Sequence, residues 1–532
     1  MSNLLEKASI LTTPTAYDDG KILSVKPIQT FGSELVTNGD FTDGVNDWTP
    51  NANATLTVDS GRLKVTISGG SGYPYQSITT EVGKLYKVTA DGFIGTSSKL
   101  ALYNSADAQF RNLYADGNFD FTFTATSTIT QLRIYVYDDG AYGLWDNVSV
   151  KKVTEADFDF TRNSSATRVN SQGLVEDVGN NLPRIDYTGG VGHWLFEPQS
   201  TNLVYNSNSG FGSANMNLVY NDAISPDGTQ NAYKSTTTTA SGALVRTFGI
   251  AFAATSTFSV FLKYGNNQWY QIMSAGKIGN FVNVDIQNGV FGTNGADTEN
   301  LSIKDFGNGW YRVSGTFINA AATSTLRIYT GSSSNHSWAA TSAPIGSYNY
   351  GYGFQVEASS FATSYIPTNG STVTRLQDAA FGAGSSDLIN STEGVLYAEI
   401  AYLSDTGTFR TISINDGSND NIVAFENRPV SNQIKAFINV SGVSVMSSTQ
   451  SLTNVKQFNK IAIKWKQDDF AWWVNGVQIY EDLSGSTFGS GVLNKLNFNN
   501  GLQNFPFEGK TKAVAVFKEA LTDTELTCLT TI

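Results

Sequence analysis

A single cysteine, two histidines and a charged fraction of only 15% are found in a chain of 532 residues. The lone thiol, Cys528, excludes an internal disulfide framework, and His193 and His336 stand too far apart for a zinc-site spacing. No run of about 18 apolar residues occurs, so nothing reads as a membrane-spanning helix and no membrane insertion is expected. Clustered Lys and Arg are also missing. With a net charge of −12, the chain offers no cationic cluster to neutralise a polyanion and release its counterions, so no nucleic-acid partner is expected. There is no phosphate-cradling glycine loop and no serine on a strand-to-helix elbow. The opening stretch MSNLLEKASILTTP has no charged segment leading into an apolar one and does not read as a secretory signal.

What the chain does have is 40% apolar and 12% aromatic residues, enough for folded cores. At about 150 residues per domain that means three or four domains. Ser, Thr, Asn and Gly supply polarity without charge, and with β-branched residues, Tyr and Phe they favour strands and turns over helices. The expected fold class is all-β: tandem antiparallel β-sandwiches of the jelly-roll kind, an extended N-terminal arm and a short C-terminal helix.

Residues 1–33 contain too few apolar side chains for a core of their own. Yet Leu4, Leu5, Ile10, Leu11, Ile22, Leu23 and Val25 are too apolar for a solvated tail, so the segment is expected to be an arm that docks on a partner. Residues 34–153 carry strand-sized pieces such as GRLKVTIS, KLYKVTADGFI, FDFTFTA and QLRIYVYDD, alternating with period two between Gly, Asn and Asp, as in an antiparallel sandwich. Residues 206–377 repeat the texture. ATSTITQLRIYVYDDG at 125–140 is echoed by AATSTLRIYTGSSS at 321–334, each just before a closing strand pair, which reads as two copies of one module. Residues 378–532 form a third sandwich, in which Asn475-Gly476 marks a two-residue hairpin turn and Thr522 with Glu525 a capping box on the only helical stretch. Cys528, in that stretch beside Leu526 and Leu529, is expected to be buried and inert.

Between the first two modules, residues 154–205 carry DFDFTRNSSATRVNSQGLVEDV. Its alternate apolar residues can pair along a sheet edge, while Arg162 and Arg168 can fork onto carboxylates or carbonyls. The expectation is a staple between the first module and the second.

FTRNSSATRVNSQGLVEDV, PRIDY, WLFEPQSTNLVYNS and, after the second module, SFATSYIPTNGSTVTR resemble blocks that recur in bacteriophage virion appendage proteins of the tail-fibre and head-fibre types. NLLEKASILTTPTAYDDGKILSVKP is similar to the amino-terminal segment of the same group, in phages of Bacteroidetes and the crAss-like phages among them. Residues 34–153 resemble a carbohydrate-binding module of the jelly-roll kind, through ELVTNGDFTDGVNDW and LWDNVSV. Residues 378–532 resemble laminin-G or concanavalin-A-like lectin domains, through WWVNGVQI and FEGKTKAVAVFKEALTDTELTCL. The resemblance implies a structural protein of the virion, made in the host cytoplasm and held to capsid or tail by its N-terminus. It also implies self-association, most often as a homotrimer, and attachment to host surface glycans. A bacterial surface adhesin is the alternative, and a particle-bound polysaccharide depolymerase comes after it.

Catalysis is not expected. Sandwich glucanases carry an E-x-D-x-x-E run that is missing here, and adjacent pairs such as Glu481-Asp482 fall on opposite faces of a strand. Sugar binding is the ligand expectation, because pyranose faces stack on exposed aromatic rings. The candidates are Trp48, Tyr73, Tyr75, Tyr135, Tyr137 and Trp145, with Tyr135 and Tyr137 on one side of their strand. In the resembled modules a structural calcium sits between the first and last strands, and Asp40 and Asp146 are the matching positions. No other cofactor is implied.

Overall fold

The computed structural model describes residues 4–106, 108, 110–240, 244–247, 250–339, 343–405 and 407–532. It is all-β, built of antiparallel sandwiches, with one α-helix among the described residues, Asp523–Thr530, near the C-terminus. The chain divides into two compact units, Lys26–Ala156 and a second one made of Met1–Val25 with Asp157–Ile532.

In the Lys26–Ala156 unit a five-stranded sheet runs in the order Phe110–Leu113, Leu100–Asn104, Ile129–Val136, Pro74–Thr79, Thr49–Pro50. The opposing sheet is six-stranded, in the order Gly117–Thr124, Leu85–Phe93, Tyr142–Thr154, Arg62–Ile67, Ala54–Asp59, with Thr30–Glu34 also pairing on Tyr142–Thr154. Strict alternation of buried and accessible residues along Arg62–Ile67 and Leu85–Phe93 shows the period-two pattern at work, one face inward and one outward. Leu63, Val65, Val88, Leu132, Ile134 and Trp145 are in the shared core. There the Trp145 indole stacks on Phe119 at 5.2 Å.

The second unit holds two sandwiches. In the first, Met216–Ile224, Gln230–Thr237, Tyr348–Glu357, Ser256–Tyr264, Trp310–Phe317 and Thr298–Asp305 form one sheet; Gly212–Ala214, Leu244–Arg246, Leu326–Gly331, Trp269–Ser274, Phe281–Asp285 and Val290–Asn294 form the other. Strand for strand, the central order repeats that of the Lys26–Ala156 unit, with Leu326–Gly331 in the place of Ile129–Val136. The echo seen in the sequence is therefore an echo of topology, and Val290–Asn294 and Thr298–Asp305 are extra edge strands of the second copy, one on each sheet.

The C-terminal sandwich packs a five-stranded sheet, Val443–Ser451 to Lys495–Asn497, against an eight-stranded one that runs from Ile185–Asp186 to Val477–Asp482 through Gly509–Phe517 and Glu393–Tyr402. Inner strands of the larger sheet are buried almost end to end, as in Phe470–Val474, because both faces are covered there. The outer cover comprises the terminal helix and the start of the chain: Ala8, Leu11, Leu526 and Leu529 pack on Val395, Tyr397, Trp473 and Phe517, with Leu4 and Leu5 partly buried beside them. The expected turn forms at Asn475 and Gly476, both at positive φ (51° and 81°), and the Thr522–Glu525 capping box is complete. Two expectations are overturned here. Cys528 is exposed, since a residue two positions from Leu526 lies on the opposite side of a helix with 3.6 residues per turn.

The second correction concerns the arm. Its apolar residues do not wait for a partner. Ile10–Thr12 pairs antiparallel with Gly509–Phe517; Ile10 is 0% and Ile22 1% exposed, Leu11 is buried too, and Leu23 is half-buried. Only Val25 remains exposed among the seven. A strand's worth of unpaired backbone on Gly509–Phe517 and an apolar sheet face lay within the chain's own reach, and both are satisfied internally.

The segment DFDFTRNSSATRVNSQGLVEDV also binds other partners than the expected ones. Phe158–Thr161 joins a four-stranded sheet with Lys21–Ile22 and Ala379–Phe381, and His193–Phe196 pairs with Gly509–Phe517. Of its two arginines, Arg162 lies among buried charges. Arg162 Nη1 donates to Asp378 Oδ1 at 3.1 Å, and Arg184 binds both Asp378 and Glu197, the latter at 2.7 Å. Arg375 meets Glu197 at 2.8 Å. Each member of this chain comes from one of the recurring blocks or lies just after one, so the blocks converge on a single buried cluster that ties the middle sandwich to the C-terminal one. Burial pushes Glu197 up, but the Arg375 and Arg184 guanidiniums and the Ser364 hydroxyl more than offset it and hold the carboxyl at about 2. Arg168, by contrast, stays at the periphery, on Glu176 at 2.6 Å and the Tyr17 hydroxyl at 2.9 Å.

Candidate functional site

The outward face of the five-stranded sheet in the Lys26–Ala156 unit gathers tyrosines. On Ile129–Val136, Leu132, Ile134 and Val136 enter the core, which turns Arg133 and Tyr135 outward, with Tyr137 just beyond. Tyr103 stands opposite Arg133 on one neighbouring strand and Tyr75 opposite it on the other. The three form a row across the sheet. In the next row the Tyr73 and Tyr135 rings are 4.4 Å apart, and Tyr135 contacts Tyr137 at 6.1 Å and Tyr103 at 6.5 Å. All five tyrosines are half-buried, with one edge packed and one open.

Arg133 holds the centre. Its Nε donates to Gln131 Oε1 at 2.6 Å, and its guanidinium carbon lies 5.0 Å from the Tyr73 ring and 5.1 Å from the Tyr103 ring. The Lys99 ammonium sits 3.8 Å over Tyr137. Burial raises the phenols of Tyr135 and Tyr137, so both present a neutral hydroxyl that can donate as well as accept. Tyr75 also lines an open groove of about 540 Å³ with Glu34, Thr37, Asp47, Thr49 and Ser77. A flat aromatic surface with cations and hydroxyls at its edges is chemically suited to a polar ring that has an apolar face.

Four of the six aromatic candidates, Tyr73, Tyr75, Tyr135 and Tyr137, are thus brought together. The other two are not. Trp48 is 4% exposed, with its Nε1 donating to the Asn38 carbonyl at 3.1 Å, and Trp145 is 0% exposed in the core; these indoles are needed to fill the space between the sheets. Tyr103 and Arg133 belong to the face and escaped the sequence reading. For Arg133 the signal was the alternation itself, because LRIYV places its aliphatic residues on one side and hence Arg133 and Tyr135 on the other.

The middle sandwich repeats this arrangement in closed form. Arg327 donates to Thr325 Oγ1 at 3.0 Å and to the Tyr329 hydroxyl at 3.3 Å, as Arg133 does to Gln131 and Tyr135. Here Tyr329 is buried, and Trp338 and Ala339 pack over its cluster. Gln271 Nε2 and Asn283 Nδ2 fix that covering loop by donating to the Ser337 and His336 carbonyls, each at 2.8 Å. One copy of the module presents its Arg-Tyr strand and the other covers it.

Asp40 and Asp146 are each engaged locally. Asp40 is exposed and accepts from the Thr42 hydroxyl at 3.0 Å, and Asp146 accepts from the Asn147 amide at 2.8 Å. Among the described residues no group of three or more His, Cys, Asp or Glu could hold a metal ion. His193 is buried, its Nδ1 3.0 Å from the Val191 carbonyl and its Nε2 3.4 Å from Asp186; His336 Nε2 accepts from the Ser332 amide at 2.9 Å.

No protein-family model matches the chain, and no curated protein matches it. Among solved structures, a CBM4 is similar at 19% identity, over 22% of this chain and 99% of its own, with a TM-score of 0.20. The CBM40 of a Ruminococcus gnavus IT-sialidase is similar at 17% identity, over 28% of this chain and 93% of its own, with a TM-score of 0.24. Domains LG4-5 of the mouse laminin α1 chain are similar at 10% identity, over 62% of this chain and 92% of their own, with a TM-score of 0.18. At such scores these neighbours carry no assignment for this chain.

Proposed function

We propose that the protein is a non-catalytic appendage of a bacteriophage virion, of the tail-fibre or head-fibre type, whose exposed β-sandwich faces bind glycans of the host surface. The observation that carries the glycan part is the open tyrosine face centred on Arg133, with its covered counterpart at Arg327. Half-buried rings are rigid, so they lose little freedom when a sugar stacks on them. The phage part is supported by the block resemblance from Phe160 to Arg375. Attachment to capsid or tail uses folded surface rather than the side chains of Ile10, Leu11 and Ile22, which the chain's own sheet consumes. Copies assembled as a homotrimer turn weak single contacts into useful avidity. A glycan array probed with the full chain, and with Tyr135→Ala in parallel, tests the binding: saturable signal that the substitution weakens is expected, and signal unaffected by it rejects the tyrosine face. Immuno-electron microscopy of purified particles tests the location, with label on the particle expected and label only on bacterial envelopes favouring an adhesin.

A further inference from the structure

Behind the buried arginine-carboxylate chain, a cavity of about 80 Å³ opens between the middle and C-terminal sandwiches of the second unit. Lys304 and Arg312 line it from the middle sandwich and Lys510 from the strand Gly509–Phe517. Lys304 and Arg312 are directly opposed in neighbouring strands, and like charges in that position destabilise a sheet. The Lys304 ammonium also lies in the field of Lys510. None of the three cations has a carboxylate partner among the described residues, and Arg312 Nε is buried without a hydrogen bond. Arg312 Nη2 is held by Ser259 Oγ at 2.9 Å and the Thr363 carbonyl at 2.7 Å, so the guanidinium is fixed in place, within the field of the Glu357, Glu197 and Asp186 carboxylates but in an ion pair with none of them.

The carboxylates on the same wall are already saturated. Glu197 accepts from Arg184 and from the Ser364 amide and hydroxyl, all at 2.7 Å, and is paired with Arg375. Asp186 accepts from the Val169 amide at 2.8 Å and the Thr188 amide at 2.9 Å and faces His193. In a chain with 46 acidic against 34 basic residues, three converging cations that form no ion pair among the described residues leave a place for a partner from outside the chain. About 10–15 Å³ of such space suffices for one water, so a cavity of about 80 Å³ has room for a small ligand of several heavy atoms.

We infer that the cavity bounded by Lys304, Arg312 and Lys510 is an anion site for one small oxyanion, a sulfate or a carboxylate, either free or carried on an acidic saccharide. Its ligand bridges the two sandwiches and relieves the Lys304–Arg312 repulsion. The site is separate from the tyrosine face and does not depend on it.

Isothermal titration of the full chain with sodium sulfate and with sodium glucuronate, against sodium chloride at matched ionic strength and with glucose as the neutral control, tests this. Saturable binding of sulfate, glucuronate or both is expected, weakened at least about tenfold, or 1.4 kcal/mol, in Lys304→Gln/Lys510→Gln. Sulfate and glucuronate bound alike assign the site to the oxyanion alone; glucuronate bound more tightly assigns it to a saccharide acid. Both lysines reach solvent, so the variant is expected to fold, and circular dichroism checks that it does. In low salt without ligand it should melt no lower than the parent, because a like-charge contact has been removed. Absence of saturable binding for both anions, or equal affinity in parent and variant, overturns the inference.

Discussion

Arg162 and Asp378 are 216 positions apart in the chain, yet Nη1 of the one donates to Oδ1 of the other at 3.1 Å with both side chains 0% exposed. Arg184 shares the same carboxylate, so a single aspartate bridges two guanidiniums taken from different blocks. Removing one member strands the others in a low-dielectric interior. Asp378→Asn is therefore expected to destabilise the Asp157–Ile532 unit by about 3–5 kcal/mol, read as a lower urea midpoint. A loss under about 1 kcal/mol would place the cluster in water.

Glu197 gives the same cluster a pH signature. Its carboxyl is held at about 2 against an ordinary 4.5, so the folded state binds the proton less readily than the unfolded chain does. The stabilisation is present in full above pH 4.5 and disappears as the pH falls towards 2; a shift of that size is on the order of 3 kcal/mol. Urea midpoints measured from pH 6 to pH 2 should decline through this window. A flat profile would show that Glu197 is not paired as described.

Tyr135 and Trp145 separate surface from core within one unit. Trp145→Ala removes a fully buried ring stacked on Phe119 and is expected to cost about 3–5 kcal/mol in thermal or urea unfolding, with binding lost only through unfolding. Tyr135→Ala and Tyr103→Ala should leave the melt close to the parent's and weaken glycan binding about tenfold. Equal destabilisation by all three would mean that the tyrosine face is simply part of the core.

The strands were legible because sheet burial has a period of two: GRLKVTIS and KLYKVTADGFI predict their own inward faces, Asn475-Gly476 its hairpin, and Thr522 with Glu525 its helix start. Four tyrosines of the candidate face could be picked by type, but Trp48 and Trp145 share that type and fill the core, so residue type alone cannot sort a platform from a filler. The rule that sorts them is the aliphatic partner set, Leu132, Ile134 and Val136 for Tyr135. What the sequence hid was long-range pairing. That Arg162 finds Asp378, or that Ile10 finds Val516, follows from how sheets assemble across hundreds of positions, and local pattern is silent on it.

Cys528 provides a direct check on the helix register. With Leu526 and Leu529 packed on the sheet and Cys528 outward, the native protein should consume one equivalent of a thiol reagent without denaturant, at a rate near that of a free thiol. A thiol that reacts only after unfolding would return it to the interior and rotate the helix.

The edge vacated by the N-terminal residues makes the strongest demand. Deleting residues 1–12 removes the partner of Val514, Ala515 and Val516 and uncovers the apolar face that Ala8 and Leu11 occupy. Backbone N–H and C=O groups that were paired would face solvent beside a bare hydrophobic strip, an arrangement prone to edge-to-edge association. The truncated chain is expected to melt lower, to expose the Gly509–Phe517 strand to hydrogen exchange, and to form concentration-dependent aggregates on size exclusion. Restoring the segment as a separate peptide should reverse all three, because strand addition needs the pairing groups and side chains but not the covalent link. A truncated chain that stays monomeric with an unchanged melt would show that the segment is only laid on the surface, and would free it for attachment to another protein.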